Sequence, residues 1–590
     1  MTTTASDPAA PAAAPRDRLV AGLGFCARWL EVYSQAAVRI AKVGTIVAVA
    51  VAIASLASNV FTRNVIGYSL LGSGELARFA YLWAIWLGVS LAIKRGAVTV
   101  ITFVADAGGP WWRRSVRTFS GVSVAVLLTY CCYRSTQFAT ADSGIFAQGS
   151  SSLLGAPWFY PVVSMTVGYY FISLHYLAAV AAGAARLATD RRRALRLCLT
   201  ALAGAAVIGV TVWLLAFGLL EAGAAELVAL GVIFVALTLA GTPIIFMLSI
   251  VGIIALLPSF LGLSFYPNPS PLVPFTTTQS TMGLTHGSEL LVILMFLVTA
   301  EVLNASGMSA RLISFAAAVV GHLRGGMAYV CQLTSALVSG ISGSAQADAA
   351  IMTPLLVPAM EREGYRRDVA AAVVAGASIK GPIGPISIMF IVYAVVANTS
   401  VNKLLLSGLF AEILLFLFQA ATVYIVVRRL DLLKKRRFAG MATVARTGLV
   451  ALPVLAIPVI ILGGIFSGLY TPTESGSIAA VVAIAMAMFG YAALTPRQLS
   501  GALLLAGIEA GVVMLLLGDS AILAKALYFD DFGEAVASFL SGITDNKYVF
   551  LLVVNLLLLA VGIFLEPLPA LYILAPFIAP LAVVEFGIDP

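Results

Sequence analysis

The chain has 590 residues, of which 61% are apolar and only 11% are charged, against about 25% charged residues in soluble domains. A soluble fold is excluded, because a globular surface could not cover this much apolar area, whereas lipid needs no polar cover. The net charge of +8 does not indicate nucleic-acid binding, because the basic residues stand in short clusters between apolar runs. No GxxxxGK[ST] loop occurs, so the chain does not hydrolyse ATP through a P-loop of its own.

Apolar runs of membrane-spanning length recur along the chain, and the alternating pattern of β-strands is absent. We therefore predict an all-α polytopic membrane protein rather than a barrel. The main runs are 43–61, 118–132, 197–220, 226–257, 448–466 and 548–565.

The first third of the chain is predicted to be a small membrane module. Residues 1–35 are expected to be a disordered cytoplasmic segment, because the chain starts with an Ala/Pro/Thr-rich stretch. In residues 36–190, clusters of Lys and Arg alternate with segments that carry far fewer positive charges. Placing the basic clusters in the cytoplasm predicts a four-helix module with both ends inside.

Residues 191–225 are predicted to form a linking transmembrane helix. Their apolar run starts beside a basic cluster and ends at Glu221, so it would carry the chain to the outer face. The alternative is that this helix is simply one more member of a bundle.

The large module, residues 226–590, has apolar runs interrupted by Gly, Pro, Ser and Thr. Broken helices at membrane depth are tolerated only where they are buried in protein or face a water-filled cavity. Their freed carbonyls suit sodium, and the N-termini of the half-helices suit an anion. This pattern of interrupted apolar runs predicts a secondary transporter.

The first break spans residues 339–348, where small residues allow close backbone approach and serines offer oxygen ligands. The candidate ligands for sodium or substrate are Ser342, Gly343, Ser344 and Asp348. Asp348 favours function, because a carboxylate inside a membrane is costly unless it is used. The alternative is a small-residue helix-packing face.

The second break follows Lys380, where two glycines and two prolines within five residues cannot continue an α-helix. Lys380 is expected either to attract a carboxylate or to reach the membrane interface. The alternative for the stretch is a plain loop at the membrane surface. The candidate ligands here are Gly381, Pro382, Gly384, Pro385 and Ser387.

Two further features supply weaker candidates. Thr471 and Thr473 flank a proline at a strong helix start, for which the alternative is an ordinary capped helix. Asn555 and Glu566 bound an apolar stretch, and Asn304, with Glu301 nearby, marks a possible counterpart in the other half. Such paired segments hint at an inverted repeat.

In this order, the motifs resemble those of the tripartite ATP-independent periplasmic (TRAP) transporters. The stretches of the large module that carry the resemblance are Ser342–Ser344, Pro358–Tyr365, Gly381–Ser387, Tyr470–Glu474, Asn555–Glu566 and Gly587–Pro590. The small module resembles the small TRAP membrane subunit in three stretches, Glu75–Gly88, Lys94–Ala97 and Ser151–Trp158. The resemblance therefore covers nearly the whole chain after residue 36, as a fusion of the two subunits.

The resemblance implies a sodium-coupled importer of an organic acid in the bacterial inner membrane, not an enzyme. A periplasmic solute-binding protein would deliver the substrate, and an elevator-type large module with inverted repeats would move against a scaffold. Na+ as coupling ion would be the only cofactor, the lipid bilayer would surround the chain, and neither an ATPase subunit nor nucleic acid would take part.

Two departures from the family pattern qualify this expectation. The second break separates Pro382 and Pro385, where the family usually has two adjacent prolines. The sequence also stops at Pro590, before the Thr-Pro-Pro-x-Gly element with which the family continues. We therefore expect a C-terminally truncated chain that does not transport alone.

Three other classes of membrane protein are alternatives. A binding-protein-independent elevator-type carrier would share the broken helices. A membrane-embedded enzyme or scaffold is disfavoured, because the membrane acids are scattered singly, and the GxSG match at Gly340–Gly343 lacks the later histidine that a rhomboid-type protease needs. An ABC permease would need a separate ATPase, and the motif order argues against it.

Overall fold

The computed structural model describes residues 15–98, 100, 109–140, 153–155, 159–187, 224–260, 290–397, 399–429, 437–529, 536, 538, 542, 544–563 and 565–589. Over these residues the secondary structure is helical and contains no strand, which confirms the predicted all-α class.

Four long helices form the small module, as the charge pattern predicts: α1 (Pro15–Phe61), α2 (Ser73–Arg95), α3 (Pro110–Thr140) and α4 (Phe159–Leu187). A short π-helical turn (Thr62–Ile66) extends α1. The connections between α2 and α3 and between α3 and α4 are only partly described. In the second of them, the Leu154 backbone N–H donates a hydrogen bond of 2.9 Å to Glu75 at the start of α2.

The expectation of disorder up to residue 35 is wrong for residues 15–35, which belong to α1. Side-chain contacts with the rest of the module explain the order. The Lys94 Nζ atom of α2 lies 2.8 Å from Glu31 Oε1, and Ser34 Oγ lies 2.8 Å from His175 Nδ1 of α4. Both contacts fix this part of α1 against its neighbours.

Fourteen helices follow in the described part of the large module. They are α5 (Ala224–Leu239), α6 (Ile244–Phe260), α7 (Leu291–Ala305), α8 (Ser309–Val320), α9 (Gly326–Ser342), α10 (Ala345–Arg362), α11 (Arg367–Ser378), α12 (Ile388–Val396), α13 (Val401–Arg429), α14 (Met441–Phe466), α15 (Pro472–Ala485), α16 (Pro496–Phe529), α17 (Lys547–Val561) and α18 (Pro567–Val584).

Many of these helices are long and apolar enough to cross a bilayer. Among the described residues of both modules nine stretches meet that criterion, three in the small module and six in the large one, where Arg367–Val396 runs through α11 and α12 as one stretch. Helices α7 and α8, which meet at a bend of 72°, make a tenth if they count as one span. The linking helix predicted at 191–225 lies almost entirely outside the described residues, and the domain bounds stay a prediction.

The two modules share one apolar core. Buried side chains from α1, α2, α7, α15 and α16 form a continuous cluster, with Ile53, Tyr81, Met295, Ala480 and Leu517 among them. Helix α16 of the large module packs on α1 and α2. A continuous core of this kind makes the small module an integral part of the structure.

Glycines set the closeness of the contact between α2 and α16. A Cβ atom on Gly88 would lie 2.2 Å from the Gly507 carbonyl oxygen, and one on Gly511 would lie 2.7 Å from the Ile85 carbonyl oxygen. Small residues at such positions let the backbones of membrane helices approach closely. The modules therefore meet backbone against backbone at this point.

A second, separate apolar cluster lies in the large module. It is built mainly from α9, α10, α11 and α13, with Met327, Met352, Val374 and Val423 buried in it. Helices α9, α10 and α11 flank the breaks, but Ile386 in the second break and Ile391 of α12 belong to the first cluster, so the breaks pack against both clusters.

Candidate functional site

The first predicted break separates α9 from α10. Gly343 ends α9 with a φ of 59°, a left-handed conformation that glycine adopts without steric cost. Ser344 then caps α10, its Oγ accepting a hydrogen bond from the Ala347 backbone N–H at 3.4 Å. Asp348 stands in the first turn of α10 and is fully buried. The side chain of Ser342 lies outside the described residues.

The second predicted break separates α11 from α12. A single 3₁₀ turn (Gly381–Ile383) follows α11, and Ser387 caps α12 by accepting from the Met389 N–H at 3.1 Å. The Ser387 hydroxyl also donates to the Pro382 carbonyl at 2.5 Å, which closes the irregular stretch on itself. Gly381, Gly384, Pro385 and Ser387 are buried, so the alternative of a loop at the membrane surface is wrong.

The two breaks touch through their backbones. A Cβ atom on Gly343 would lie 2.9 Å from the Ile386 carbonyl oxygen, and one on Gly381 would lie 2.8 Å from the Ser344 carbonyl oxygen. A Cβ atom on Gly384 would lie 3.1 Å from the backbone of Ser339. Any side chain at these positions would separate the breaks, so the glycines allow both to share one small volume.

The contact between the two breaks, which we call the crossing, brings together two helix C-termini and two helix N-termini. The C-terminal ends of α9 and α11 present carbonyl groups that have no partner one turn ahead, and carry partial negative charge. The N-terminal ends of α10 and α12 present N–H groups and partial positive charge. The arrangement can hold a cation at the carbonyls and an anionic group at the N–H ends.

Lys380 lies directly behind the second break. Its side chain is fully buried, and its Nζ atom donates to Gln332 Oε1 of α9 at 2.5 Å and to Gln419 Oε1 of α13. The alternative in which it reaches the membrane interface is wrong, because α9 and α13 enclose it and supply amide oxygens. It lies within electrostatic range of the Asp348 and Glu412 carboxylates.

Glu412 and the two glutamines are polar residues of this site that the sequence interpretation missed. Glu412 is 6% exposed and accepts a hydrogen bond from Ser339 Oγ in the last turns of α9. Gln419 additionally donates to the Gly376 carbonyl at 2.7 Å. The available signal was an acid and an amide inside the apolar run of α13, since polar side chains within membrane spans are costly and mark functional or packing contacts.

Thr471 and Thr473 stand at the start of α15, away from this crossing in the fold. Thr471 and Glu474 form a complete capping box, with the Glu474 side chain accepting from the Thr471 N–H at 3.0 Å. The alternative of a capped helix is thus confirmed for this segment. Helix α15 packs mainly on α7, α14 and α1, and ion binding by its two threonines stays a prediction.

The remaining candidates lie at two other helix interruptions. Asn304 precedes the bend between α7 and α8, with its Nδ2 3.5 Å from Glu301 Oε1 and its Oδ1 3.4 Å from Ser309 Oγ. Asn555 is exposed on α17 and donates to the Leu551 carbonyl, and Glu566 directly precedes α18. The structure does not bring Asn555 to the crossing of the two breaks, and the role of these residues stays a prediction.

Two family models match the chain. The DctM component of the tripartite ATP-independent periplasmic transporters matches residues 231–590, and the DctQ component of the same transporters matches residues 52–186. Together they confirm the resemblance of both modules to the subunits of one transporter type.

Relatives match either the large module or nearly the whole chain. The C4-dicarboxylate TRAP transporter large permease protein DctM of Pseudomonas aeruginosa is 36% identical over 303 residues, 51% of this chain and 70% of that protein. The sialic acid TRAP transporter permease protein SiaT of Haemophilus influenzae is 26% identical over 90% of this chain and 85% of its own length. The isethionate TRAP transporter permease protein DctMQ of Oleidesulfovibrio alaskensis is 29% identical over 88% of this chain and 77% of its own length.

These relatives are permeases of the inner membrane, which confirms the expectation of a transporter rather than an enzyme and the predicted location. Since a family model covers more than half of the chain and the second model covers most of the small module, the chain belongs to the tripartite ATP-independent periplasmic (TRAP) transporter family, as a permease that fuses the DctQ and DctM components in one polypeptide.

Proposed function

We propose that the chain imports a small organic acid, driven by a sodium gradient and supplied by a periplasmic substrate-binding protein. The backbone contact between the two breaks carries this proposal. It places carbonyl groups of two helix C-termini beside N–H groups of two helix N-termini, within a unit buried in apolar surroundings. Oxygen ligands suit sodium, and the N–H groups suit a carboxylate.

The names of the relatives support the substrate class. They transport C4-dicarboxylates, sialic acid and isethionate. All three are small, strongly hydrophilic anions with a carboxylate or sulfonate group, so we propose the same chemistry for the substrate of this chain. The candidate ligands of the ion and the substrate are those of the two breaks, with Gly343 and Gly381 at the contact.

An elevator movement is proposed for the unit that contains the breaks. The buried apolar side chains of α10 and α11 belong to a cluster distinct from the one that joins the small module to α16, whereas α9 and α13 contribute to both, through Val338 and Leu405 in the latter. We propose that α10 and α11 shift by shear, with α9 and α13 sliding at their contacts with the larger cluster. The interruptions after Asn304 and before Glu566 support the inverted repeat.

The division into modules is proposed with the bounds 36–190, 191–225 and 226–590. The two family models lie within the first and third of these segments, which supports the assignment. Residues 191–225 would then connect the modules as a transmembrane helix.

Uptake into proteoliposomes tests the proposal. The purified permease, including any C-terminal segment that its gene encodes beyond Pro590, is reconstituted with the substrate-binding protein encoded beside it, and uptake of the radiolabelled ligand of that protein is followed under an inward gradient of sodium chloride or choline chloride. The 590-residue chain reconstituted in the same way tests the expectation that it does not transport without such a segment. We expect the labelled ligand to accumulate in the sodium chloride gradient and not in the choline chloride gradient. Accumulation that is equal in both salts would refute sodium coupling.

A binding-protein-independent carrier is the second candidate, because the crossing of two broken helices suits either transport mode. Uptake that persists when the soluble protein is omitted would favour it.

A further inference from the structure

Lys380 holds the one lysine ammonium that is fully buried among the described residues, and it sits one residue before the second break. Its two hydrogen-bond acceptors come from different helices, Gln332 on α9 and Gln419 on α13. The lysine itself continues the C-terminal end of α11. A single positive group therefore connects three of the helices that surround the crossing.

Two acidic groups lie within electrostatic range of this ammonium, one on α10 and one on α13, the helix that also carries Gln419. Asp348 belongs to the first turn of α10, directly after the first break, and Glu412 belongs to α13. Glu412 is in turn tied to Ser339 near the end of α9. The thiol of Cys331 on α9 is the other titratable group within range of Lys380.

Amide and carboxylate oxygens converging on one buried position are also the oxygen ligands that hard cations prefer in proteins. A buried ammonium is costly unless oxygens and opposite charges compensate it. Here the compensating oxygens and carboxylates come from α9, α10 and α13. The buried charge of Lys380 therefore keeps these helices together around the two breaks.

We propose that Lys380 is a tethered cation, which holds α9, α10, α11 and α13 around the two breaks as a bound sodium ion would. The docking of the two breaks then does not require an ion at this position. This deepens the proposed function, on which it rests for the role of the breaks, because it makes one cation of the transport unit part of the chain. Lys380 is a positioning residue, since it acts through the helices and not on the substrate.

Thermal unfolding of the full-length chain in detergent, followed by tryptophan fluorescence, tests this inference. We expect Lys380→Met to unfold roughly 5 °C below wild type in choline chloride, as removal of one partner from a buried charge cluster predicts. Sodium chloride should recover much of that loss in a saturable way, because a small cation can enter the vacated position. Lys403→Met, at an exposed lysine of α13, is the matched control and should leave the midpoint unchanged in both salts.

A second variant separates the charge from the hydrogen bonds. Lys380→Met combined with Glu412→Gln removes one charge of each sign, so it should regain a midpoint close to wild type and lose the response to sodium. A role limited to hydrogen bonding with the two glutamines predicts no such recovery. If Lys380→Met alone does not fold, folding of the double variant supports the proposal, and its failure to fold overturns it.

The outcomes are distinct from those of the uptake assay. A midpoint of Lys380→Met that responds equally to sodium and choline, or a double variant no better than the single one, overturns the tethered cation and leaves sodium coupling untouched. Sodium-independent uptake by wild type would refute the coupling, while recovery of the double variant would still support a tethered cation.

Discussion

Arg63 and Glu474 form a bidentate ion pair across 411 positions of the chain. Arg63 Nη1 lies 2.6 Å from Glu474 Oε1, and Nη2 lies 3.0 Å from Oε2. Arg63 stands in the π-helical turn that ends α1, and Glu474 belongs to the capping box of α15. One carboxylate therefore both starts a helix of the large module and binds the small module to it.

We expect Glu474→Gln to lower the free energy of unfolding by about 1–2 kcal/mol, because it weakens the ion pair and the capping box together. The Arg63 side chain keeps 36% of its surface exposed, so solvent screening holds the loss below that of a buried pair. Unfolding of Arg63→Gln, Glu474→Gln and the double variant gives the coupling energy. A coupling energy of zero would show that the pair does not join the modules.

Gly381→Ala tests the contact between the two breaks. The added Cβ would lie 2.7 Å from the Ser344 carbonyl carbon, so we expect a loss of about 1–3 kcal/mol of stability and of most sodium-driven uptake. Gly376→Ala, in the same region of the chain, is the control, because a Cβ there meets no atom within 4 Å. It should leave the protein as stable as wild type or more so, since alanine favours helix over glycine. Equal effects of both substitutions on uptake would contradict the importance of the contact.

Ser342→Ala tests the ion site proposed at the first break. We expect the sodium concentration that gives half-maximal uptake to rise about tenfold, which corresponds to the loss of one oxygen contact. Ser314→Ala, at a serine whose hydroxyl bonds only its own helix at the Ala310 carbonyl in a surface position, is the matched control. An unchanged sodium requirement in Ser342→Ala would remove this serine from the site.

A chain divided between residues 190 and 224 tests how the modules hold together. We expect the two halves to copurify when coexpressed, because α2 and α16 pack closely and share one apolar core. Gly88→Val in the divided chain should abolish copurification, since its side chain would strike the Gly507 backbone. Gly121→Val, at a position with nothing within 4 Å, should not. Copurification that survives Gly88→Val would place the adhesion elsewhere.

Much of the fold could be predicted from the sequence, because each membrane helix is recognisable from a continuous apolar run within its own stretch of sequence. The four helices of the small module and the breaks after Ser342 and Lys380 follow from apolar length, charge clusters, glycines and prolines. The extension of α1 back to Pro15 could not be predicted in this way. It depends on Glu31 meeting Lys94 and Ser34 meeting His175, which are partners distant in sequence.

The polar interior of the site was harder to predict than its breaks. Glycine frees the backbone from helical dihedral angles and proline removes a helix-forming N–H wherever they stand, so each break is visible within a few residues. Glu412 and Gln419 acquire their meaning only from Ser339 and Lys380, which the fold brings to them from other helices. Likewise, Glu474 is readable as part of a helix cap, but its ion pair with Arg63 is not.

The backbone contact at Gly88 and Gly507 also bears on how a fused permease is inherited. Because Gly88 has no side chain, the backbone at Gly507 lies directly against α2, and any side chain at position 88 would exclude it. Two separate genes would have to preserve that match while they drift independently. A single reading frame instead delivers matched halves in a one-to-one ratio and inserts them side by side, so the covalent connection serves pairing and supply, and the helices themselves provide the adhesion.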